Sequence, residues 1–469
     1  MSTSHTSEST SYRDKLSTVD EKGRRIWIYP KKVTGKFYNL RTYVSWFLLA
    51  FLFAGPFLKI KGEPFLMFNV LERKFVLFGQ VFWPQDFHLF VLAFIILIVF
   101  VVLFTVAFGR LFCGWVCPQT LFMEMVFRKI EYWIDGDWKQ QKELDNAPWT
   151  AAKIRKRILK HSVFFLIAFI ISNTFLAYII GIGQLEKIIT DPPSEHVGGL
   201  TSMMVFSGAF YFVFAFFREQ VCTNVCPYGR FQGVMLDRNS IVVTYDYHRG
   251  EPRGMIRKKE DQREKGDCVD CHECVRVCPT GIDIRNGTQL ECVNCTACID
   301  ACNHVMEKIK KPKGLIRYAS ESEIADRVKF TFTNRLKGYT AVLSLLIVAM
   351  VALLVTRSDV ETTLLRIPGL TFQKMDDGRI SNMYNFKVLN KTGQDLPLAF
   401  RITSGPGEIK IIGNPVEVEP HGMKEGELLI MLDKEELHDF NVKVTVGVYH
   451  NEELIETIKT SFLGPIKTY

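Results

Sequence analysis

Long apolar runs alternate with polar, basic segments along the first three quarters of the chain. The last quarter changes to a two-residue rhythm. Five runs approach the length needed to cross a bilayer, about 20 residues: approximately Thr42–Lys59, Leu89–Phe108, Ser162–Ile180, Leu200–Phe217 and Gly338–Val355. The second, "LFVLAFIILIVFVVLFTVAF", contains no charge. The first carries Gly55 and Pro56 near its end, which a membrane helix tolerates. Buried helices of a soluble protein are the competing explanation, and the basic flanks of the runs favour membrane spans. Beyond Thr356 the pattern alternates: "NVKVTVGVY" places Val442, Val444, Val446 and Val448 on one face. "MYNFKVLN", "PLAFRI", "EIKIIG" and "GELLIML" are alike, separated by turn signals such as "NKTGQD" and "SGPGE". A period of two fits helix poorly here and suggests a β-sandwich of about 100 residues, immunoglobulin-like in size.

Charge orients these elements. The chain has 469 residues and a net charge of +8. Lys and Arg concentrate in the N-terminal segment, in Arg110–Lys160 and in Arg218–Lys337, whereas Lys61–Phe87 and Gly181–Gly199 hold few. The positive-inside rule places the basic segments in the cytoplasm, and five spans then leave the C-terminal region outside. The excess charge is thereby accounted for without nucleic-acid binding. The first residues are Ser/Thr-rich and lack a signal peptide's apolar core, and the tail before about Tyr12 is expected to be disordered. Order and orientation also suggest a repeat. Two helices and a Cys-x3-Cys-Pro pair are followed by two helices and a second such pair, implying a pseudo-two-fold axis along the membrane normal.

All 12 cysteines lie between Cys113 and Cys302, and each falls in a short-spaced motif, which reads as metal or redox chemistry rather than a secreted disulfide scaffold. "CVDCHECVRVCPTGIDI" spaces Cys268, Cys271, Cys274 and Cys278 as 2-2-3, and "CVNCTACIDAC" repeats this with Cys292, Cys295, Cys298 and Cys302. This is the bacterial ferredoxin run for [4Fe–4S] clusters. In two-cluster ferredoxins the fourth cysteine of each run crosses to the other cluster. Carried over, one cluster takes Cys268, Cys271, Cys274 and Cys302, and the other takes Cys292, Cys295, Cys298 and Cys278. Asn303 stands where a second proline is expected, which leaves the local turn open. Zinc is the alternative ion for such pairs, but the doubled 2-2-3 pattern argues against it. His272 and His304, inside the runs, are expected to be exposed rather than ligating.

The pairs "RLFCGWVCPQ" and "REQVCTNVCPYG" bring Cys113, Cys117, Cys222 and Cys226 to the ends of membrane helices. They are candidates for a soft-metal or electron-relay site, since thiolates favour Cu(I). Buried inert cysteines, a redox disulfide and an extra metal cluster remain alternatives. Pro118 and Pro227 either open a helical turn or break one. Met123, Met125, Met203, Met204 and Met235 lie nearby and are expected to pack rather than ligate. Arg110 and Arg218 read as interfacial anchors of helix ends. His88, at the outer end of the second run beside Trp83, reads as structural.

The order of a basic N-terminus, "GRLFCGWVCPQT", "VCTNVCPYGRFQ", two ferredoxin runs, a last membrane helix and a β-rich tail resembles the CcoG/FixG family. These are accessory proteins for assembly of cbb3-type cytochrome c oxidase. "WPQDF" and "RKIEYWIDGD" fit it too, and the likeness extends from about Trp27 onward. The resemblance implies a membrane-bound iron–sulfur electron-transfer protein that reduces Cu(II) to Cu(I), a cupric reductase. It would carry two [4Fe–4S] clusters, with copper as a further candidate at Cys113, Cys117, Cys222 and Cys226. The implied partners are membrane lipid, an unidentified cytoplasmic electron donor, a copper chaperone or copper-transporting ATPase, and the oxidase assembly machinery. The implied location is the bacterial inner membrane, with the N-terminus and ferredoxin domain cytoplasmic and the β domain periplasmic. A quinol-linked membrane ferredoxin subunit and a non-redox assembly scaffold are the rival readings.

The expected fold class is a multi-domain membrane protein: five transmembrane α-helices, a two-cluster ferredoxin-like domain and a C-terminal immunoglobulin-like β-sandwich. Residues 1–41 form the basic N-terminal segment, and 42–217 the four-helix region with its internal repeat and first cysteine pair. Residues 218–337 hold the second pair and the ferredoxin-like domain (about 260–310), 338–356 the fifth span and 360–469 the β domain.

Overall fold

The computed structural model describes residues 18–20, 22, 24–60, 62–70, 73–255, 265–375, 377–403, 407–437 and 439–465. The tail before Tyr12 lies outside them. The chain divides into two compact units. The first comprises the residues up to Leu58, Pro64–Glu72 and His88–Met350, and the second Lys59–Glu63, Arg73–Phe87 and Val351–Tyr469.

Five helices are long and apolar enough to cross a membrane. They are α1 (Lys36–Ala54), α2 (Phe87–Phe108), α3 (Ala151–Ile180), α4 (Val197–Phe212, prolonged by a π-helical turn to Phe217) and α5 (Asn334–Val355). Two begin well before their apolar runs, for local reasons. The start of α1 is capped from a distant element: Asp300 accepts from the backbone N–H of Phe37 at 3.2 Å and of Tyr38 at 2.7 Å. A carboxylate there complements the unpaired N–H groups and the positive end of the helix dipole. In α3 the hydroxyl of Thr150 accepts from Lys153 N at 3.3 Å. Its 30 residues span about 45 Å at 1.5 Å each, so the basic first turns project beyond a hydrocarbon core of about 30 Å. Ser172 of α3 and Ser207 of α4 share a hydrogen bond of 2.7 Å between the helices, a polar contact typical of membrane helix pairs.

The segment after the first cysteine pair packs between these helices. Phe122 and Phe127 are buried in a cluster with Phe164 and Phe214, and Phe127 stacks on Phe214 with ring centroids 4.9 Å apart. At its far end lies a buried ion network. Glu131 accepts from Arg218 and from Lys160 (2.5 Å), and Lys160 also meets Asp135 at 2.9 Å. Arg218 is 2% exposed and Arg110 4% exposed. Neither is the water-facing anchor expected from its place at a helix end.

The ferredoxin-like portion pairs Val242–Tyr245 with Ile316–Ala319 in an antiparallel ribbon. Its cysteine loops run into the short helix Glu273–Arg276 and the longer helix Ala297–Lys308.

The second unit is a β-sandwich. One sheet orders Glu408–Ile412, Met423–Leu432, Ile380–Asn390 and Val360–Arg366, with Gln373–Lys374 added to Ile380–Asn390. The other orders Val416–Val418, Leu396–Ile402, Asn441–His450 and Glu453–Leu463. Val444, Val446 and Val448 are buried between them with Tyr384, Leu428 and Phe462, and Val442 packs at the margin. One expected boundary moves. Residues 73–87, read from sequence as part of the membrane region, belong to this unit. Asp86 is the reason: its carboxylate accepts from Arg357 at 2.7 Å and from Lys391 at 2.9 Å.

Glu131→Gln leaves two cations buried beside a neutral side chain and is expected to cost about 3–5 kcal/mol, read as a lower thermal midpoint in detergent. Against burial, which would raise it, Arg218, Lys160 and Arg128 hold this carboxyl at about 2. The stabilisation is therefore full above the ordinary carboxylate range and falls away as pH drops from about 4 towards 2. An unchanged midpoint would contradict the assignment.

Candidate redox centre

The two ferredoxin runs fold into near copies of one loop. In each, the residues on either side of the second cysteine have left-handed backbone: Asp270 (φ 50°) and His272 (φ 58°), then Asn294 (φ 53°) and Thr296 (φ 66°). Asp and Asn adopt that region more readily than most side chains. Such turns direct successive N–H groups inward, making a concavity suited to an anionic sulfur cluster. One cavity is lined by Cys268, Cys271, Cys274 and Cys302, the other by Cys278, Cys292, Cys295 and Cys298. Each run thus sends its fourth cysteine to the cavity of the other. Cys274 lines both, as a shared wall.

Burial pushes the Cys274, Cys292 and Cys302 thiols up to about 12 and Cys295 to about 11. Such sulfurs become thiolates only opposite compensating positive charge, as iron supplies. Four sulfurs per cavity with inward N–H groups fit an iron–sulfur cluster.

Neighbours that sequence reasoning missed complete these cavities. Arg285 is buried between Asp270 (2.5 Å) and Asp283 (2.6 Å) and lies beside Cys274. Asn294 accepts from Val243 N at 3.3 Å and from the Cys292 thiol at 3.5 Å. His272 has its Nδ1 2.9 Å from Arg285, its side chain about half exposed. The departure at Asn303 has a cause. The helix Ala297–Lys308 continues past Cys302, so proline would remove an interior hydrogen bond. Asn303 instead accepts from Gly314 N at 2.9 Å.

The boundary cysteines lie against this module. Cys113 sits in the short helix Leu111–Trp115 and Cys222 in a π-helical turn, Val221–Val225. Cys117 and Cys226 each cap a following helix, with Pro118 and Pro227 at its first position, where a missing N–H costs nothing. Cys113, Cys117 and Cys222 are close enough that their charges would interact. Cys226 is partly buried on the same segment as Cys222. Burial first, then Cys117 and Cys113, push the Cys222 thiol up to about 12. Burial raises Cys113 too, opposed by Arg110, and its thiol faces Gln232 Oε1 at 3.4 Å.

Contact with the ferredoxin loop is direct. A side chain on Gly114 would meet the carbonyl oxygens of Val293 and Asn294 at 2.5 and 2.7 Å. Arg110 donates to the Leu290 carbonyl. Trp115 Nε1 donates to the Tyr318 hydroxyl at 3.1 Å, which in turn donates to Asn294 O at 3.3 Å. Met123, Met125, Met203 and Met235 are buried, with Met123, Met203 and Met235 in apolar clusters, while Met204 is exposed. His88 is exposed.

Five membrane-length helices in one chain with a module holding such cysteine-lined cavities define a multi-pass iron–sulfur protein of the electron-transfer class. Residues 217–321 match a 4Fe-4S dicluster domain and 89–139 a 4Fe-4S binding domain. Residues 350–465 match the IG-like fold at the C-terminal of FixG. Protein RdxB of Cereibacter sphaeroides is 34% identical over 84% of this chain and 86% of its own length. Protein RdxA of the same organism is 32% identical, over 82% and 83%. Nitrogen fixation protein FixG of Rhizobium meliloti is 32% identical, over 82% and 80%. The chain belongs to the FixG family. A solved FixG-related protein from Vibrio parahaemolyticus aligns with 24% of this chain and all of its own at 19% identity and a TM-score of 0.20.

The crossing of the fourth cysteines is testable. Replacing Cys268, Cys271, Cys274 and Cys302 together by Ser is expected to remove about half the bound iron. Replacing Cys268, Cys271, Cys274 and Cys278 strikes both cavities and should remove nearly all. Equal loss in the two variants would contradict the crossing.

Proposed function

We propose that this protein passes electrons through two [4Fe–4S] clusters to Cu(II), releasing Cu(I) at the boundary cysteines for assembly of a copper-containing oxidase. One observation carries the reading: the cysteine sites form an unbroken row. The first cavity shares Cys274 with the second, and the loop bearing Cys292 and Cys295 rests on Gly114, next to Cys113. One cluster would be held by Cys268, Cys271, Cys274 and Cys302, and the other by Cys278, Cys292, Cys295 and Cys298.

Bound clusters supply one-electron storage at closely spaced sites. The chain does the rest. Inward N–H groups and Arg285 favour the negatively charged, reduced state. Asn294 holds the loop that faces Gly114. Cys113, Cys117, Cys222 and Cys226 offer soft sulfur ligands, which retain Cu(I) far better than a hard-ligand site would. Each Cu(II) takes one electron. The basic segments support a reading in which the N-terminus and ferredoxin-like domain face the cytoplasm of a bacterial inner membrane and the β domain the opposite side. A copper chaperone or copper-transporting ATPase would then receive Cu(I) on the cytoplasmic side.

The test is anaerobic. Purified protein is reduced, freed of reductant and given Cu(II) with a Cu(I)-specific chelator. Reoxidation of the iron–sulfur chromophore is expected to match Cu(I) formed, electron for electron. Replacing Cys113, Cys117, Cys222 and Cys226 by Ala should slow Cu(I) formation about tenfold or more, the scale on which lost soft ligation acts. Clusters that stay reduced in the presence of Cu(II) would refute the proposal.

A further inference from the structure

The first unit holds an open apolar cavity of about 390 Å³ between α1, the outer half of α3, the segment Val116–Phe122 and the strand residues Leu66 and Phe68. Leu49, Leu52, Val116, Pro118, Phe122 and Tyr178 contribute to its wall. Among the described residues, no charged side chain lines it. The hydroxyl of Tyr178 donates to Leu52 O at 2.9 Å, so its oxygen retains capacity to accept. Gly55 makes room for that hydroxyl, because a side chain there would collide with it.

Three features narrow the occupant. The cavity lies among membrane spans, so what enters dissolves in the bilayer. Its wall offers no cation for a phosphate, which excludes nucleotides and flavin phosphates and leaves a phospholipid headgroup without a partner. Val116 and Pro118, which line it, are the chain neighbours of Cys117. Its size and apolar lining match the ring and first isoprene units of a membrane carrier.

We propose that this cavity binds an isoprenoid quinol, the electron donor to the iron–sulfur clusters. The role as donor rests on the electron-transfer reading above, whereas the binding does not. Oxidation of one quinol to quinone releases two electrons and two protons; the two clusters take one electron each and pass it on to one Cu(II) each, and the protons pass to water.

The test uses the full-length protein in mild detergent with an azidoquinone photoprobe and peptide mapping. Labelling is expected within Leu48–Leu52, Leu66–Phe68, Val116–Phe122 or Phe175–Ile179. Leu49→Trp, which fills the cavity, should abolish most of it. Tyr178→Phe should reduce it about fivefold through one lost hydrogen bond, and stands as the reporter if Leu49→Trp does not fold. Labelling should persist when Cys113, Cys117, Cys222 and Cys226 are replaced by Ala. A protein that labels fully yet fails to reduce Cu(II) would sink the copper reading and leave the site intact. Labelling elsewhere, labelling unchanged in both variants, or extraction of a phospholipid acyl chain protected at this position would overturn the proposal.

Discussion

The loop between Cys292 and Cys295 lies with its carbonyls against the α-carbon of Gly114, in space that any side chain would occupy. Close approach of this kind is what glycine permits and other residues do not. The rest of the redox region is organised around that contact. Asn294 adopts left-handed backbone there, ties its side chain to Val243 and Cys292, and offers its carbonyl to Tyr318. Tyr318 links onward to Trp115. The ferredoxin-like module is thus seated directly on the segment that carries Cys113, without an intervening layer of side chains.

Two further devices keep that seat in place. Asp300, on the helix that carries Cys298 and Cys302, caps the start of α1. The N-terminal segment crosses the module as well, through Lys31 to Glu273 at 2.8 Å. Arg25 reaches Glu219 at 2.8 Å, and Trp27 lies against both Arg25 and Arg218. Below the cysteines, Glu131 gathers Arg218 and Lys160 in one buried network. Buried charges of this sort add little net stability, but they tolerate few alternative arrangements. The two segments bearing the cysteine pairs are therefore held from two sides.

Much of this was legible in the residues. Apolar runs gave the helices, because a span must be apolar along about 20 residues whatever it packs against. Alternation gave the strands around Val444, Val446 and Val448. The 2-2-3 spacing marked the cluster loops, since ligand geometry allows few spacings. Contacts between distant segments were not legible. Nothing near Lys36 announces that Asp300 will extend α1, and nothing near Asp86 announces Arg357 and Lys391. Arg110 and Arg218 were misjudged for the same reason: position at a helix end suggests water, while burial depends on what packs over it. Some signals were present and unread. Asp270 and Asn294 occupy matching places in the two runs, and both are residue types that accept left-handed backbone. Gly114, between two cysteines in a tight motif, was another.

The central claim is that electrons cross from the ferredoxin-like module to the boundary cysteines where the Val293–Asn294 backbone meets Gly114. The most direct measurement is the rate at which Cu(II) reoxidises the pre-reduced protein in the wild type and in Gly114→Ala, at matched iron content. The account predicts that the variant binds its full iron, is reduced as completely, and gives up its electrons to Cu(II) more slowly, because the added methyl must push the loop away. An equal rate in a variant that is fully loaded and folded would mean that electrons leave by another route, and would contradict the account.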